Sequence, residues 1–231
     1  SDENLLTNDL PAGLEGEGEI VGVGDTGVSV HPAFMDPTFN DKVVATKPDF
    51  NWEDYKGHGT HVSGTILGIG ADHPSGSTRY KGMAPKAKLV SQKFLYGTYN
   101  YEFNELFGEA YSLGAMVHNN SWGWYDFTID GDYNQNSIDI DDFLWNHKDF
   151  SIVFAAGNCR DCDTWDNYGN CLHPNPDPMG SSIDWDSAAK NNVVVGATEN
   201  KKPGYNENYI AGFSSIGPTH DGRVKPDVVA P

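Results

Sequence analysis

The 231 residues carry 15 basic and 33 acidic side chains, a formal net charge of −18, with 38% hydrophobic and 21% charged residues. That length can bury a sizeable core, and the mix is that of a globular chain rather than a disordered one. The acidic balance argues against a nucleic-acid partner and weakly favours basic substrates, and no apolar run approaches the roughly 20 residues that cross a bilayer.

In chain order, Glu19-Ile20-Val21-Gly22-Val23-Gly24 alternates apolar residues with glycine and predicts a buried strand. It runs into Asp25-Thr26-Gly27. A carboxylate there either closes the strand as an Asx-turn or faces a ligand at the strand's C-terminal end. Residues 28–57, rich in Pro, Asp, Asn and Lys, read as an irregular surface region. The stretch from Gly57 to Gly68 then opens on a histidine between two glycines and continues through small and apolar residues without proline. It predicts a closely packed segment with His58 at its N-terminal edge, where neighbours can set the protonation of a general base.

A polar loop over 72–81 precedes a strand over 87–94. Residues 104–113 carry a helical stripe of Leu106, Phe107, Ala110, Tyr111 and Leu113, with Gly114 as C-cap. A strand over 115–120 runs into Ser121-Trp122-Gly123. Residues 139–147 predict a helix with Ser137 as candidate cap. A strand over 151–156 ends in Gly157-Asn158, and 192–197 predicts a further strand. This alternation specifies an α/β fold with a mostly parallel sheet and helices on both faces. No internal repeat or low-complexity linker interrupts it, so residues 1–231 are expected to lie within one domain.

Asp25, His58, Ser121-Trp122-Gly123 and Asn158 all fall at strand ends or a helix start, which a parallel sheet gathers at one edge. Asp can orient His, His can deprotonate a hydroxyl, and Asn can donate to a developing oxyanion.

Asp25-Thr26-Gly27, His58-Gly59-Thr60-His61-Val62, Ser121-Trp122-Gly123 and Ala155-Ala156-Gly157-Asn158 resemble, in order, the motifs of the subtilisin-like serine proteases. Phe213-Ser214-Ser215, Gly217-Pro218 and the run from Lys225 to Pro231 resemble the segment ahead of that family's nucleophile. In detail the chain is similar to the large alkaline, oxidant-resistant subtilases that carry a C-terminal β-domain. The resemblance implies a three-layer subtilisin-like fold and a secreted endopeptidase acting on polypeptides. It gives Asp25 the role of orienting His58, His58 that of general base and acid, and Asn158 that of oxyanion donor. Ser121, Trp122 and Gly123 would face Ala155, Ala156 and Gly157 across the pocket for the residue before the scissile bond. Leu95, Tyr96 and Gly97 would form the edge that pairs with extended substrate.

The family's Gly-Thr-Ser-Met-Ala nucleophile motif does not occur in these residues, and Ser214 and Ser215 precede its usual position. The expectation is that sequence after Pro231, the C-terminal remainder of the same precursor, supplies the serine through a nicked or truncated chain. The alternative is a catalytically inactive binding module, a pseudoprotease.

No cofactor is expected for catalysis, and no metal-site residues are nominated. Cys159, Cys162 and Cys171, with His173 close behind, form either a local disulfide involving Cys171, which implied secretion favours, or a zinc site lacking its second Cys-x-x-Cys pair. Asp130, Asp132, Asn134, Asn136 and Asp141 partly imitate an EF-hand loop, but Gln135 stands where that loop needs glycine. A solvated acidic loop capping the next helix is the favoured reading, with structural calcium somewhere in the domain an expectation of the resemblance. His58 and His61 are three apart, whereas the helical zinc-protease motif needs a spacing of four and an adjacent glutamate. His61 is therefore expected to be structural.

Overall fold

The computed structural model describes residues 13–29, 42–47, 53–70, 81–93, 102–123, 131–160, 164–165, 171–173, 181–200, 206 and 208–231. The chain divides into two compact units, Ser1–Ser121 and Trp122–Pro231.

The first unit contains β1 (Ile20–Asp25), β2 (Val43–Lys47), α1 (His58–Leu67), β3 (Lys88–Lys93), α2 (Phe103–Ser112) and β4 (Val117–Asn120). Its strands run in the order β2-β3-β1-β4, and every pairing is parallel. β1 is the central ribbon: Val21, Gly22, Val23 and Gly24 are buried, as expected for a strand covered on both faces. α1 turns Gly59, Ser63 and Leu67, spaced four apart, inward. Leu67 then joins Val21, Val23, Val28, Ala87 and Leu89 in one apolar cluster. α2 buries Leu106, Phe107 and Ala110, and Gly114 just past its end takes φ +89°, the left-handed turn that glycine allows without strain.

β2 corrects the expectation for residues 28–57. Val43 to Lys47 forms an edge strand against β3, and its Val-Val-Ala-Thr-Lys sequence is too short and too mixed to announce itself against the polar residues around it.

His118 ties the layers of this unit together. Its Nε2–H donates to Gln92 Oε1 at 2.8 Å, and Gln92 Nε2 donates in turn to Leu106 O and Glu109 Oε2. Phe107 meets the ring edge-on at 5.0 Å. Burial pushes the His118 pKa down to about 3, so this histidine is neutral and belongs to the core. Gly22 makes its position available, because a Cβ there would lie 2.5 Å from His118 Cδ2.

The second unit holds α3 (Gln135–Asn146), β5 (Ser151–Ala155), β6 (Thr164–Trp165), β7 (Cys171–His173), a 3-10 turn (Trp185–Ala188), β8 (Val193–Ala197) and β9 (Val228–Ala230). β5, β8 and β9 run parallel in that order, and β6 pairs antiparallel with β7. Ala156, Ile183 and Val194 pack as one buried cluster.

α3 starts four residues before the expected 139, and its cap is Asn134 rather than Ser137. Asn134 Oδ1 accepts from the backbone N–H groups of Asn136 and Ser137 at 3.0 and 3.2 Å. Ser137 is buried, with its hydroxyl donated to Trp185 O. The other polar groups of the EF-hand-like run have protein partners too. Asp132 pairs with His220 at 2.8 Å, and Asp141 accepts from Tyr133 OH and from the amides of Lys190 and Asn191. Asp130 lies outside the described residues.

Gly22→Ala should lower stability by about 1–3 kcal/mol through overpacking against His118. Gly212→Ala, where a Cβ would meet nothing within 4 Å, should stay within about 0.5 kcal/mol of the parent. Thermal unfolding of the two variants side by side checks this.

Candidate active site

Asp25 closes β1 and His58 opens α1. The Asp25 carboxylate is 1% exposed, and its Oδ1 accepts the Thr26 N–H at 2.7 Å and lies 2.7 Å from His58 Nδ1. Because a carboxylate only accepts, Nδ1 carries the proton, and Nε2 is left as the basic nitrogen. The imidazole is 51% exposed, so one edge is held and the other is open to a reactant. The hydrogen bond that His58 donates to Asp25 raises the His58 pKa above its usual 6.5, partial burial opposes it, and the charges of Asp25 and Asp54 add to the rise. His58 and His118 thus occupy opposite environments, and of these two it is His58 that is both accessible and paired with a carboxylate.

Gly59 lets helix and strand come this close. It is buried, and a Cβ there would overlap Gly27 O and lie 3.1 Å from Asp25 Oδ1. The amides at the start of α1 are satisfied in an unusual way, since Gly57 at the cap sits at φ +76° with no side chain to offer. Asp54 takes that role. Its Oδ1 accepts from Gly57 N and Thr26 Oγ1, both at 2.8 Å, and from Lys56 N. Its Oδ2 accepts from Thr60 N and Thr60 Oγ1 at 2.8 and 2.7 Å. Thr26 Oγ1 accepts in turn from Gly59 N at 2.9 Å. The chain therefore links Asp54, Thr26 beside the acid, and the residues on either side of His58. Burial would push the Asp54 pKa up, but its hydrogen bonds from Thr60, Thr26 and Gly57 outweigh that and hold it below the usual 3.8. Sequence reading missed Asp54. The available signal was an acidic residue three positions ahead of a glycine cap, within reach of the first free amides.

Ser121 ends the first unit half-buried, accepting from Asn119 Nδ2 at 3.0 Å. In the second unit Trp122 is 8% exposed, its ring edge-on to Phe154 at 5.2 Å. Ala155 ends β5, Ala156 and Gly157 are buried, and Asn158 follows exposed. Gly157 takes φ +108° and packs against Ser215, whose Oγ accepts from Cys159 N at 3.0 Å. Ser214 Oγ accepts from Ala197 N, so both serines serve the local backbone. A second residue overlooked in the sequence, Asp184, lies between Gly123 and Gly157, is 1% exposed, and has its N–H on Ala156 O at 3.4 Å.

Leu95, Tyr96, Gly97 and Cys162 lie outside the described residues, as does the side chain of Cys171, whereas Cys159 is buried. His61 is exposed on α1 rather than enclosed in a network. Among the described residues no group of three or more His, Cys, Asp or Glu side chains is arranged to hold a metal ion, and no helix is long and apolar enough to cross a membrane.

A profile described as the subtilase family matches residues 16–231. The chain belongs to the subtilase family. It is 28% identical over 99% of its length to the serine protease/ABC transporter B family protein tagD of Dictyostelium discoideum, covering 16% of that protein. It is 27% identical over 94% of its length to the serine protease AprX of Bacillus subtilis, covering 47% of it. The chain thus spans less than half the length of these curated relatives. Among solved structures, the CspB protease of Clostridium perfringens is similar with a TM-score of 0.63 at 15% identity, over 94% of this chain and 76% of that one. The prenylagaramide maturation protease PagA is similar with a TM-score of 0.57 at 18% identity, over 92% of this chain and 62% of that one. These likenesses establish the subtilisin-like three-layer α/β fold expected from the sequence.

Asp54→Asn should cost about 1–3 kcal/mol at neutral pH, because an amide cannot accept the same set of bonds. A carboxylate whose folded-state pKa is lowered stabilises the fold fully above its unfolded value of 3.8, and that contribution is lost as pH falls through the folded value. The gap in melting temperature between parent and variant should therefore be widest at pH 7 and shrink at pH 3.

Proposed function

We propose that this subtilase-family chain is part of the catalytic domain of a secreted serine endopeptidase, with its nucleophilic serine carried by sequence outside these 231 residues. The observation that carries the reading is the Asp25–His58 pair: a buried carboxylate 2.7 Å from Nδ1 of a half-exposed imidazole.

In the proposed reaction, His58 Nε2 takes the proton from the serine hydroxyl as Oγ attacks the peptide carbonyl carbon. Asp25 fixes the tautomer that leaves Nε2 free and stabilises the imidazolium that forms. The Asn158 side-chain amide donates to the tetrahedral oxyanion. The imidazolium then gives its proton to the leaving amine, and water, deprotonated by the same nitrogen, releases the acyl group from the serine. Substrates are polypeptides, in keeping with relatives named as proteases. The second reading is a pseudoprotease, a binding module that keeps this fold without a working nucleophile.

A serine-directed phosphonate probe on the complete protein separates the two. The protease reading expects covalent labelling that His58→Ala abolishes, and a protein that takes up no label at all supports the binding module. Asp25→Asn should lower kcat by about 10⁴-fold, and Asn158→Ala by about 10²–10³-fold with little change in KM.

A further inference from the structure

Two glycines of the second unit face one carboxylate. A Cβ on Gly123 would overlap Asp184 Oδ2 and lie 2.6 Å from its Cγ, and a Cβ on Gly157 would lie 3.1 Å from Asp184 Oδ1. Gly123 and Gly157 belong to the two segments assigned above to opposite walls of the pocket for the residue before the scissile bond. The backbone that carries this carboxylate is held by its neighbours. The Asp184 N–H is directed at Ala156 O, Ser187 Oγ donates to Ala155 O at 2.7 Å, and Ser182 exchanges bonds with Ile216 through N–H to O at 2.8 Å and Oγ from N at 3.0 Å. Trp122, in one wall, packs edge-on against Phe154 of the strand that leads into the other.

We propose that Asp184 is the specificity-determining residue of this pocket and selects a lysine or arginine side chain before the scissile bond, an inference that rests on the protease reading. With glycine at both wall positions, backbone rather than side chain borders the carboxylate. Asp184 is 1% exposed, so a cation that reaches it makes a charge-assisted hydrogen bond with little competition from water. An acidic side chain there would meet like charge, and an apolar one would leave the pocket's polar group without a substrate partner, which rejects the ligand strongly. The overall acidic balance of the chain favours approach by the same cationic substrates.

The test uses the complete serine-bearing protein and peptides that differ only before the scissile bond, carrying Arg, Lys, Leu, Phe or Glu. The proposal expects kcat/KM for Arg or Lys to exceed that for Leu by at least about tenfold, with Glu poorest. Asp184→Asn and Asp184→Ser should collapse that ratio by raising the relative rate on Leu and Phe peptides, and Asp184→Glu should preserve the basic preference. Parent enzyme that prefers Leu or Phe, or a ratio unmoved by both neutral variants, overturns the assignment of Asp184 while leaving the protease reading intact. No cleavage of any peptide together with no phosphonate labelling overturns the protease reading and this inference with it.

Discussion

A carboxylate at the end of a central strand is removed from water and given one partner that can leave with a proton. Asp25 accepts from its neighbour's amide and from His58, and the imidazole holds that bond with one edge while exposing the other. In bulk water such a pair would be worth little; at a buried carboxylate the same geometry shifts the histidine's proton affinity and fixes which nitrogen is basic. The chemistry proposed for the chain depends on this asymmetry between a held edge and a free one.

Holding a helix start against a strand end imposes two further demands. The approach requires a residue without Cβ next to the histidine, which Gly59 supplies. The helix amides must also be satisfied although the cap position is itself a left-handed glycine, and Asp54 does this through its side chain while binding Thr26 beside the acid. The positive end of the helix and the Asp54 carboxylate reinforce one another. A single hydrogen-bonded chain, Asp54–Thr26–Gly59, thus fixes the backbone on both sides of the dyad.

Much of this was legible in the sequence because the decisive elements follow simple periodicities. β1 announces itself by valines alternating with glycines, α2 by its apolar stripe, and Asp25, His58 and the Ala155-Ala156-Gly157-Asn158 run by their places at element ends. What stayed hidden depends on contacts distant in sequence or on local chemistry that mimics something else. β2 is a short edge strand among polar residues. Asn134 looked like part of a cation loop but caps α3. Asp184 follows Ile183 inconspicuously before a 3-10 turn, and only the folded chain reveals that Gly123 and Gly157, 34 positions apart, both border it.

If Asp25 sets the proton affinity of His58, an NMR titration of the His58 ring in the parent chain and in Asp25→Asn will show it. The expected midpoint lies above 6.5 in the parent and falls in the variant once the raising hydrogen bond and charge are removed. A His58 midpoint at or below 6.5 in the parent, or one that Asp25→Asn leaves unmoved, would contradict it.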